Sequence, residues 1–170
     1  MNAAGIATIN DEGVGTKWSF ANAADIGTST TNDGPDPATG YDDDRALSVD
    51  NITVNEGSPK AVFTVSGAAG QFASLSLADV TTAGLSGLEY YDASANGGAG
   101  GWVAYTVPVA LDAAGKLLVR TSLTPEQETT VDNGETFTLT ATNAGGTAAV
   151  GTGTIKDDGT GNKYPDAAPN

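Results

Sequence analysis

The sequence contains no cysteine and no histidine, and these two absences exclude several kinds of chemistry. Without cysteine the chain has neither a disulfide framework nor a thiolate metal site. Without histidine it lacks the commonest general base, the commonest zinc ligand and the usual partner of a nucleophilic serine. The adjacent acids Asp157 and Asp158 do not replace these groups, because catalytic carboxylates face each other across a cleft. We therefore expect a protein that is not an enzyme.

Basic residues are scarce, since 7 lysines and arginines stand against 21 acidic residues. This excludes nucleic acid as a partner, because phosphate binding requires a basic surface. The acidity is uneven: residues 1–44 carry eight acids and one base, whereas residues 45–156 carry ten acids and five bases. No apolar run is long enough to predict a membrane span, and we expect any secretion signal to lie outside these residues.

A phrase near the start of the chain returns near its end. Residues 8–18 (TINDEGVGTKW) match residues 154–164 (TIKDDGTGNKY) at an offset of 146 residues. The Thr, the Ile, the first Asp, both Gly and the Lys are identical, while the second acid and the closing aromatic residue match in kind. A repeat of this length predicts one unit of a tandem array. We call residues 8–18 the leading phrase and residues 154–164 the closing phrase.

From Leu47 onward the sequence predicts β-strands, because short alternating segments are separated by Gly, Pro, Asn and Asp. In 60–66 the apolar residues Ala61, Phe63 and Val65 alternate with Lys60, Val62, Thr64 and Ser66. In 135–142 apolar residues alternate with a row of threonines on an outward face. Seven to eight strands in about 110 residues predict a single all-β, immunoglobulin-like antiparallel sandwich. The predicted strands are 47–54, 60–66, 71–77, 87–92, 101–107, 116–123, 135–142 and 147–156.

Composition divides the chain into four parts. We expect residues 1–18 to be the tail of a preceding repeat and residues 19–44 to be an acidic linker without a sustained period. Residues 45–161 are predicted to form the sandwich, and residues 162–170 to begin the next linker. The pattern favours a monomer, because nothing in it indicates an obligate dimer.

Acidic residues recur where units are predicted to join. We expect three segments to meet at one pole of the sandwich. They are the end of the last strand, the turn before the preceding strand and the end of the first strand. Carboxylates that meet there repel each other unless a cation lies among them, and calcium prefers oxygen ligands on such turns. The same Asp-Asp-Gly pattern is also typical of a plain chain reversal. The predicted calcium ligands are Glu56, Asp132, Glu135, Asp157 and Asp158 at this pole, with Asp42, Asp43, Asp44, Asp11 and Glu12 at the joins.

A second function also fits the residues. Loop 78–101 and the aromatic residues of 88–105 are candidates for gripping a glycan or a peptide. Trp102, Tyr105, Tyr90 and Tyr91 fit core and edge packing as well, and the glycine-rich segment 96–101 fits a hairpin. The alternative prediction is therefore a ligand-binding module.

Several motifs resemble Calx-beta-type repeats, which occur in tandem in large bacterial adhesins and RTX-type surface proteins. The motifs are VNEGSP at 54–59, AVFTV at 61–65, LVR at 118–120, DNGETFTL at 132–139 and GTGTIKDDG at 151–159. The chain departs from the family pattern at 89–92, which reads EYYD.

The resemblance covers roughly residues 46–161. It implies an immunoglobulin-like sandwich with calcium at one pole and between modules, secretion to the bacterial cell surface, and a role in adhesion or extension. The resemblance indicates Glu56, Glu135, Asp157 and Asp158 as the first candidates for calcium ligands, with Asp132 next. We therefore expect a calcium-binding structural (extender) module of a repetitive cell-surface adhesin, whose partners are calcium ions and neighbouring repeats of the same polypeptide.

Overall fold

The computed structural model describes residues 6, 8, 43–82, 84–85, 87–127 and 129–166. The strands of this described part form two five-stranded sheets. The prediction of an all-β, immunoglobulin-like sandwich is confirmed. The described part has ten strands and not the predicted seven to eight, because 47–54 divides in two and Val109–Ala110 forms an additional short strand. The strands are β1 (Ser48–Val49), β2 (Ile52–Asn55), β3 (Lys60–Ser66), β4 (Phe72–Asp79), β5 (Glu89–Asp92), β6 (Gly101–Ala104), β7 (Val109–Ala110), β8 (Lys116–Ser122), β9 (Thr136–Thr142) and β10 (Ala148–Lys156), with a short helical turn α1 (Ala95–Gly98) and a 3₁₀ turn (Thr124–Glu126).

The first sheet has the order β1-β3-β8-β5-β6, and the second has the order β2-β10-β9-β4-β7. The predicted first strand 47–54 divides into β1 and β2, which belong to different sheets. At the division, Asp50 Oδ1 accepts from the Thr64 N–H of the first sheet at 2.7 Å, and Asn51 Oδ1 accepts from the Thr152 N–H of the second sheet at 2.8 Å. As a result β2 pairs with β10 in parallel, whereas the other paired strands of the described residues run antiparallel.

The core lies between the two sheets, because alternate residues of each strand point inward. At its centre the rings of Phe63 and Phe137 meet edge to face, with centroids 5.6 Å apart and an angle of 85° between the planes. The predicted inward sets are confirmed, since every second residue of β3 and of β9 is buried. These buried residues are Ala61, Phe63 and Val65 in β3, and Phe137, Leu139 and Ala141 in β9.

The chain reaches the sandwich at one pole and leaves its last strand at the other. The N-terminal pole holds residues 43–47 beside the turn after β9, where Asn143 Nδ2 donates to the carbonyls of Asp44 at 2.6 Å and Arg45 at 3.1 Å. The C-terminal pole is formed by residues 55–57, 133–135 and 156–159. Because β10 has nine residues, the two poles lie roughly 30 Å apart.

Candidate sites at the poles and on the outer face

The C-terminal pole brings together three segments that the sequence predicts to meet there. Gly134 N donates to the Ile155 carbonyl at 3.0 Å, and Ile155 N donates to the Glu135 carbonyl at 2.9 Å. On the other side of β10, Glu56 N donates to the Lys156 carbonyl at 3.0 Å. The turn before β9, the end of β10 and the turn after β2 therefore lie side by side.

Glu56 and Asp157 line one open depression of about 420 Å³ at this pole. Lys156 lies in the same wall, and the Lys163 ammonium lies beside Gly57 of that wall, so both carboxylates have cations nearby. Within the described ranges, no three His, Cys, Asp or Glu side chains are grouped so that they could hold a metal ion. Of the predicted ligands, Glu56, Glu135, Asp157 and Asp158 thus share this pole, and any metal bound there would need further oxygen ligands.

Asp158, at the same pole, is engaged by its neighbours. Its Oδ1 accepts from Thr160 N at 2.9 Å and from Thr160 Oγ1 at 2.5 Å, and Asn133 Nδ2 donates to its Oδ2 at 3.2 Å. These hydrogen bonds lower the pKa of Asp158, with the Thr160 hydroxyl contributing most. The Asp-Asp-Gly segment at 157–159 therefore also forms a chain reversal, which is the alternative role that its sequence pattern indicates.

We expect Thr160→Ala to raise the pKa of Asp158 toward its ordinary value of 3.8, because the substitution removes the strongest donor to the carboxylate. The pKa of Asp158 is lower in the folded chain than in the unfolded chain, so the hydrogen bonds to its carboxylate stabilise the fold fully at pH values above 3.8. This stabilisation is lost as the pH falls through the folded pKa. Titration of the Asp158 carboxyl by NMR measures the change. Thr138→Ala on the outward face of β9 is the control, and an unchanged Asp158 titration in Thr160→Ala contradicts the assignment.

Asp43 and Asp44 lie at the N-terminal pole, at the opposite end of the sandwich from Glu56. Arg45 holds both carboxylate oxygens of Asp43, donating from Nε at 2.8 Å and from Nη2 at 2.6 Å. Asp43 is buried, so this bidentate pair neutralises it within its own domain. The ligand role of Asp43 and Asp44 at a join stays a prediction. The remaining predicted ligands, Asp42, Asp11 and Glu12, lie outside the described residues.

Residues 160–166, which we call the tail, pack against the sandwich. Asn55 N donates to the Asn162 carbonyl at 2.8 Å, and Asn162 N donates to the Thr53 carbonyl at 3.0 Å. Further along, Tyr164 N donates to Ser58 Oγ at 2.8 Å. The predicted linker 162–170 thus contacts the sandwich over its described part, 162–166.

The outer face of the first sheet carries a cluster that sequence reasoning missed. Arg120 Nε donates to Glu89 Oε2 at 2.7 Å, and the guanidinium carbon lies 4.4 Å from the centroid of the Trp102 ring. Arg120 Nη1 also donates to the carbonyl of Asp166 in the tail at 2.9 Å, and Lys60 Nζ lies 3.6 Å from Glu89 Oε2. These five residues, Lys60, Glu89, Trp102, Arg120 and Asp166, form the Arg120 cluster.

Arg120 is only 7% exposed although it points away from the core, because Trp102 and the tail cover it. Alternation along 116–123 places Arg120 outward, and this is the one signal that the sequence offers. The pairing of Glu89 with Arg120 depends on the register between β5 and β8, which no local pattern contains.

An open groove of about 710 Å³ lies between β5, β7 and the start of β8. β5 and β8 pair at two positions, Glu89 with Arg120 and Tyr90 with Val119. Beyond Tyr90 the two strands are no longer paired. Tyr90 and Tyr91 line the groove together with Val109, Leu117 and Leu118. The ring of Tyr91 also meets Trp102 edge to face, with centroids 5.7 Å apart.

No protein-family model matches the chain, and a comparison with curated proteins finds no match. Among solved structures, the chain is similar to the periplasmic chaperone SfaE, with 8% identity and a TM-score of 0.44 over 68% of this chain and 57% of the chaperone. It is also similar to the ASH or PapD-like domain 7 of human CEP192, with 6% identity and a TM-score of 0.32 over 83% of this chain and 97% of that domain. Such distant likenesses carry no argument about function.

The chain spans little more than half the length of the chaperone. Neither neighbour is named as an enzyme, and the expectation that this chain lacks catalytic activity stays a prediction. The resemblance to Calx-beta-type repeats likewise stays a prediction. In the part of the chain that the structure describes, no helix has the length and apolar character needed to cross a membrane.

Proposed function

We propose that this chain carries a structural (extender) module of a repetitive bacterial cell-surface adhesin, stiffened by calcium at its poles and joins. The observation that carries the proposal is the position of the two connections: Asp43 lies at one pole, and β10 ends at the other. Units joined pole to pole add their length to an array. The neighbouring repeats of the same polypeptide are then the principal partners, at the outer surface of the cell.

The calcium part of the proposal rests on the acids of the C-terminal pole. Glu56 and Asp157 line one depression, while Asp132, Glu135 and Asp158 lie on the adjoining segments. Calcium takes about six to eight oxygen ligands, so these acids need carbonyls, water or a neighbouring unit to complete the shell. Acids equivalent to Asp42 and Asp44 precede the next sandwich of such an array and are suited to supply them, whereas the equivalent of Asp43 is already paired with its own arginine.

We expect calcium to raise the melting temperature of the wild-type chain relative to excess chelator, because an ion bound to the folded state stabilises it. At a free calcium concentration 100 times the dissociation constant, the gain is about 2.7 kcal/mol. The double variant Glu56→Gln/Asp157→Asn should lose most of this shift. Calorimetry with calcium, with magnesium and with chelator measures it, and small-angle scattering under the same conditions follows the dimensions.

The matched control is Asp92→Asn, which removes one acid beside the groove and should retain the calcium shift. A wild-type melting temperature that is equal in calcium and chelator contradicts the metal part of the proposal. An equal calcium shift in the wild type and in Glu56→Gln/Asp157→Asn contradicts the assignment of the site to this pole.

The groove beside Tyr90 and Tyr91 favours the second candidate, a module that binds a glycan or a peptide. Aromatic rings beside aliphatic side chains form the kind of surface on which sugar rings and extended peptides pack. Glycan and peptide arrays probed with this chain separate the two candidates. A spacer gives no signal, whereas a binding module gives a signal that Tyr91→Ala removes.

A further inference from the structure

The groove between β5, β7 and the start of β8 is bounded by an open strand edge. β7 is the outermost strand of the second sheet, and among the described residues it pairs with β4 alone. Both of its residues, Val109 and Ala110, line the groove. An open edge presents backbone N–H and C=O groups, with which an extended peptide pairs along its own backbone. A glycan has no such regular series of partners, so this edge favours a peptide.

The wall of the groove opposite β7 is apolar. The pairing of β5 with β8 ends after Tyr90 and Val119, and the side chains of Tyr90, Tyr91, Leu117 and Leu118 lie along the opening. The groove has a volume of about 710 Å³, which is within the range of about 300–1,000 Å³ that is typical of ligand pockets. Apolar side chains of a peptide have a surface to pack on there.

Two carboxylates lie at the groove, and turns hold both of them. Ser94 N and Ser94 Oγ donate to Asp92 Oδ1 at 2.8 and 2.7 Å. Ala114 N and Lys116 N donate to Asp112 Oδ1, each at 2.8 Å. The Ser94 hydroxyl contributes most to lowering the pKa of Asp92, so this side chain is ionised at neutral pH. The groove therefore carries fixed negative charge.

The base among the residues that line the groove is directed away from it. Lys116 Nζ donates to Ser66 Oγ at 2.7 Å, and Ser66 lies on β3. β3 and β5 flank β8 on opposite sides, so this bond draws the ammonium away from β5. The negative charge of Asp92 and Asp112 is thus left for an occupant, and the complementary occupant is a cation.

We propose that this groove binds an extended, basic peptide segment of a partner protein, in which basic residues alternate with apolar ones. The peptide backbone pairs with the open edge of β7. Successive side chains of an extended chain point in opposite directions, so apolar ones pack on Tyr90 and Leu118 while basic ones reach Asp92 and Asp112. The inference rests on the second candidate of the proposed function, the binding module, and does not depend on calcium.

The probe is a capped heptapeptide of alternating valine and lysine, titrated into the isotopically labelled full-length chain and followed by NMR. Saturable shifts should concentrate in β5, β7 and the start of β8. Two control peptides divide the requirement: one has glutamate in place of lysine, and the other has serine in place of valine. Both should bind more weakly, because the first is repelled by the carboxylates and the second has no apolar side chains for the wall.

The double variant Asp92→Asn/Asp112→Asn removes the charge and keeps the Oδ1 atoms that accept the turn hydrogen bonds. It should weaken the valine–lysine peptide roughly 5- to 30-fold, because it removes two exposed ion pairs. The matched control is Glu56→Gln/Asp157→Asn, which removes the same charge at the C-terminal pole. At about 0.1 M salt it should leave the affinity within roughly twofold of the wild type, since distant charges are screened.

Equal affinity in the wild type and in Asp92→Asn/Asp112→Asn overturns the inference. Equal weakening in the two double variants also overturns it, because binding would then follow net charge alone. A glycan signal that Tyr91→Ala removes, without binding of the valine–lysine peptide, overturns the peptide inference and retains the binding module. If neither ligand binds, the inference and the binding module fail together, while the calcium shift of the melting temperature still tests the extender separately.

Discussion

Phe137→Ala is expected to lower the free energy of unfolding by about 3–5 kcal/mol, because the residue fills the centre of the core. Phe137 has no exposed surface, and its ring packs edge to face on Phe63. The loss combines the transfer of a large apolar side chain with the cavity that remains. Urea denaturation measures it. Thr138→Ala, the next residue on the outward face of β9, is the control and should stay within about 0.5 kcal/mol of the wild type.

The same ring constrains Gly153 on the neighbouring strand. A Cβ at position 153 would lie 2.4 Å from Cζ of Phe137, so Gly153→Ala should cost about 1–3 kcal/mol through overpacking. Once Phe137→Ala has removed the ring, the added methyl group has room. The double variant should therefore lose less than the sum of the two single variants, with a coupling of about 0.5–3 kcal/mol. A strictly additive result contradicts the packing of the ring against β10.

Arg120→Ala is expected to cost about 2–3 kcal/mol, because it removes the centre of the Arg120 cluster. The variant separates Glu89 from its closest cation, uncovers the face of Trp102 and breaks the bond to the Asp166 carbonyl. We place the loss below that of a fully buried ion pair because the Glu89 side chain is 29% exposed. Urea denaturation at low and at high salt measures the loss and its electrostatic share.

Two variants separate the contributions in the Arg120 cluster. Lys116→Ala removes an exposed base from the same strand and should change the free energy of unfolding by no more than about 0.5 kcal/mol. Arg120→Met keeps an apolar side chain against Trp102 and should recover part of the loss. If Arg120→Ala is no more destabilising than Lys116→Ala, the cluster does not stabilise the sandwich.

Local patterns in the sequence predicted the layers of the fold correctly. Alternation predicts that Phe63 and Phe137 point inward, because successive side chains of a strand point to opposite faces of the sheet. Local sequence also predicts that the acids lie on turns, since Asp, Asn and Gly favour chain reversals. The prediction that Glu56 and Asp157 approach one another required only the knowledge that strand ends gather at a pole.

Long-range pairing decided the remaining features. The division of 47–54 depends on Asp50 and Asn51, which each bond to a strand of a different sheet. The pairing of Arg120 with Glu89 neutralises a cluster on the outer face of the first sheet. No local pattern contains these contacts, because each depends on which strands pair and in which register. The pairing of Arg45 with Asp43 is different, because the two residues are only two positions apart in the sequence.

Local sequence and tertiary structure each explain part of the repeated phrase. Its recurrence and its two glycines are properties of the sequence alone, and they predicted a unit of an array. Only the tertiary structure shows that Gly161 lies against the backbone of Asn55, where a side chain would collide with β2. The sequence by itself thus determined which faces are buried and which segments repeat, since both are written in local spacing. The tertiary structure decided what the repeated glycine is for, because steric contact between residues 106 positions apart exists only in the folded chain.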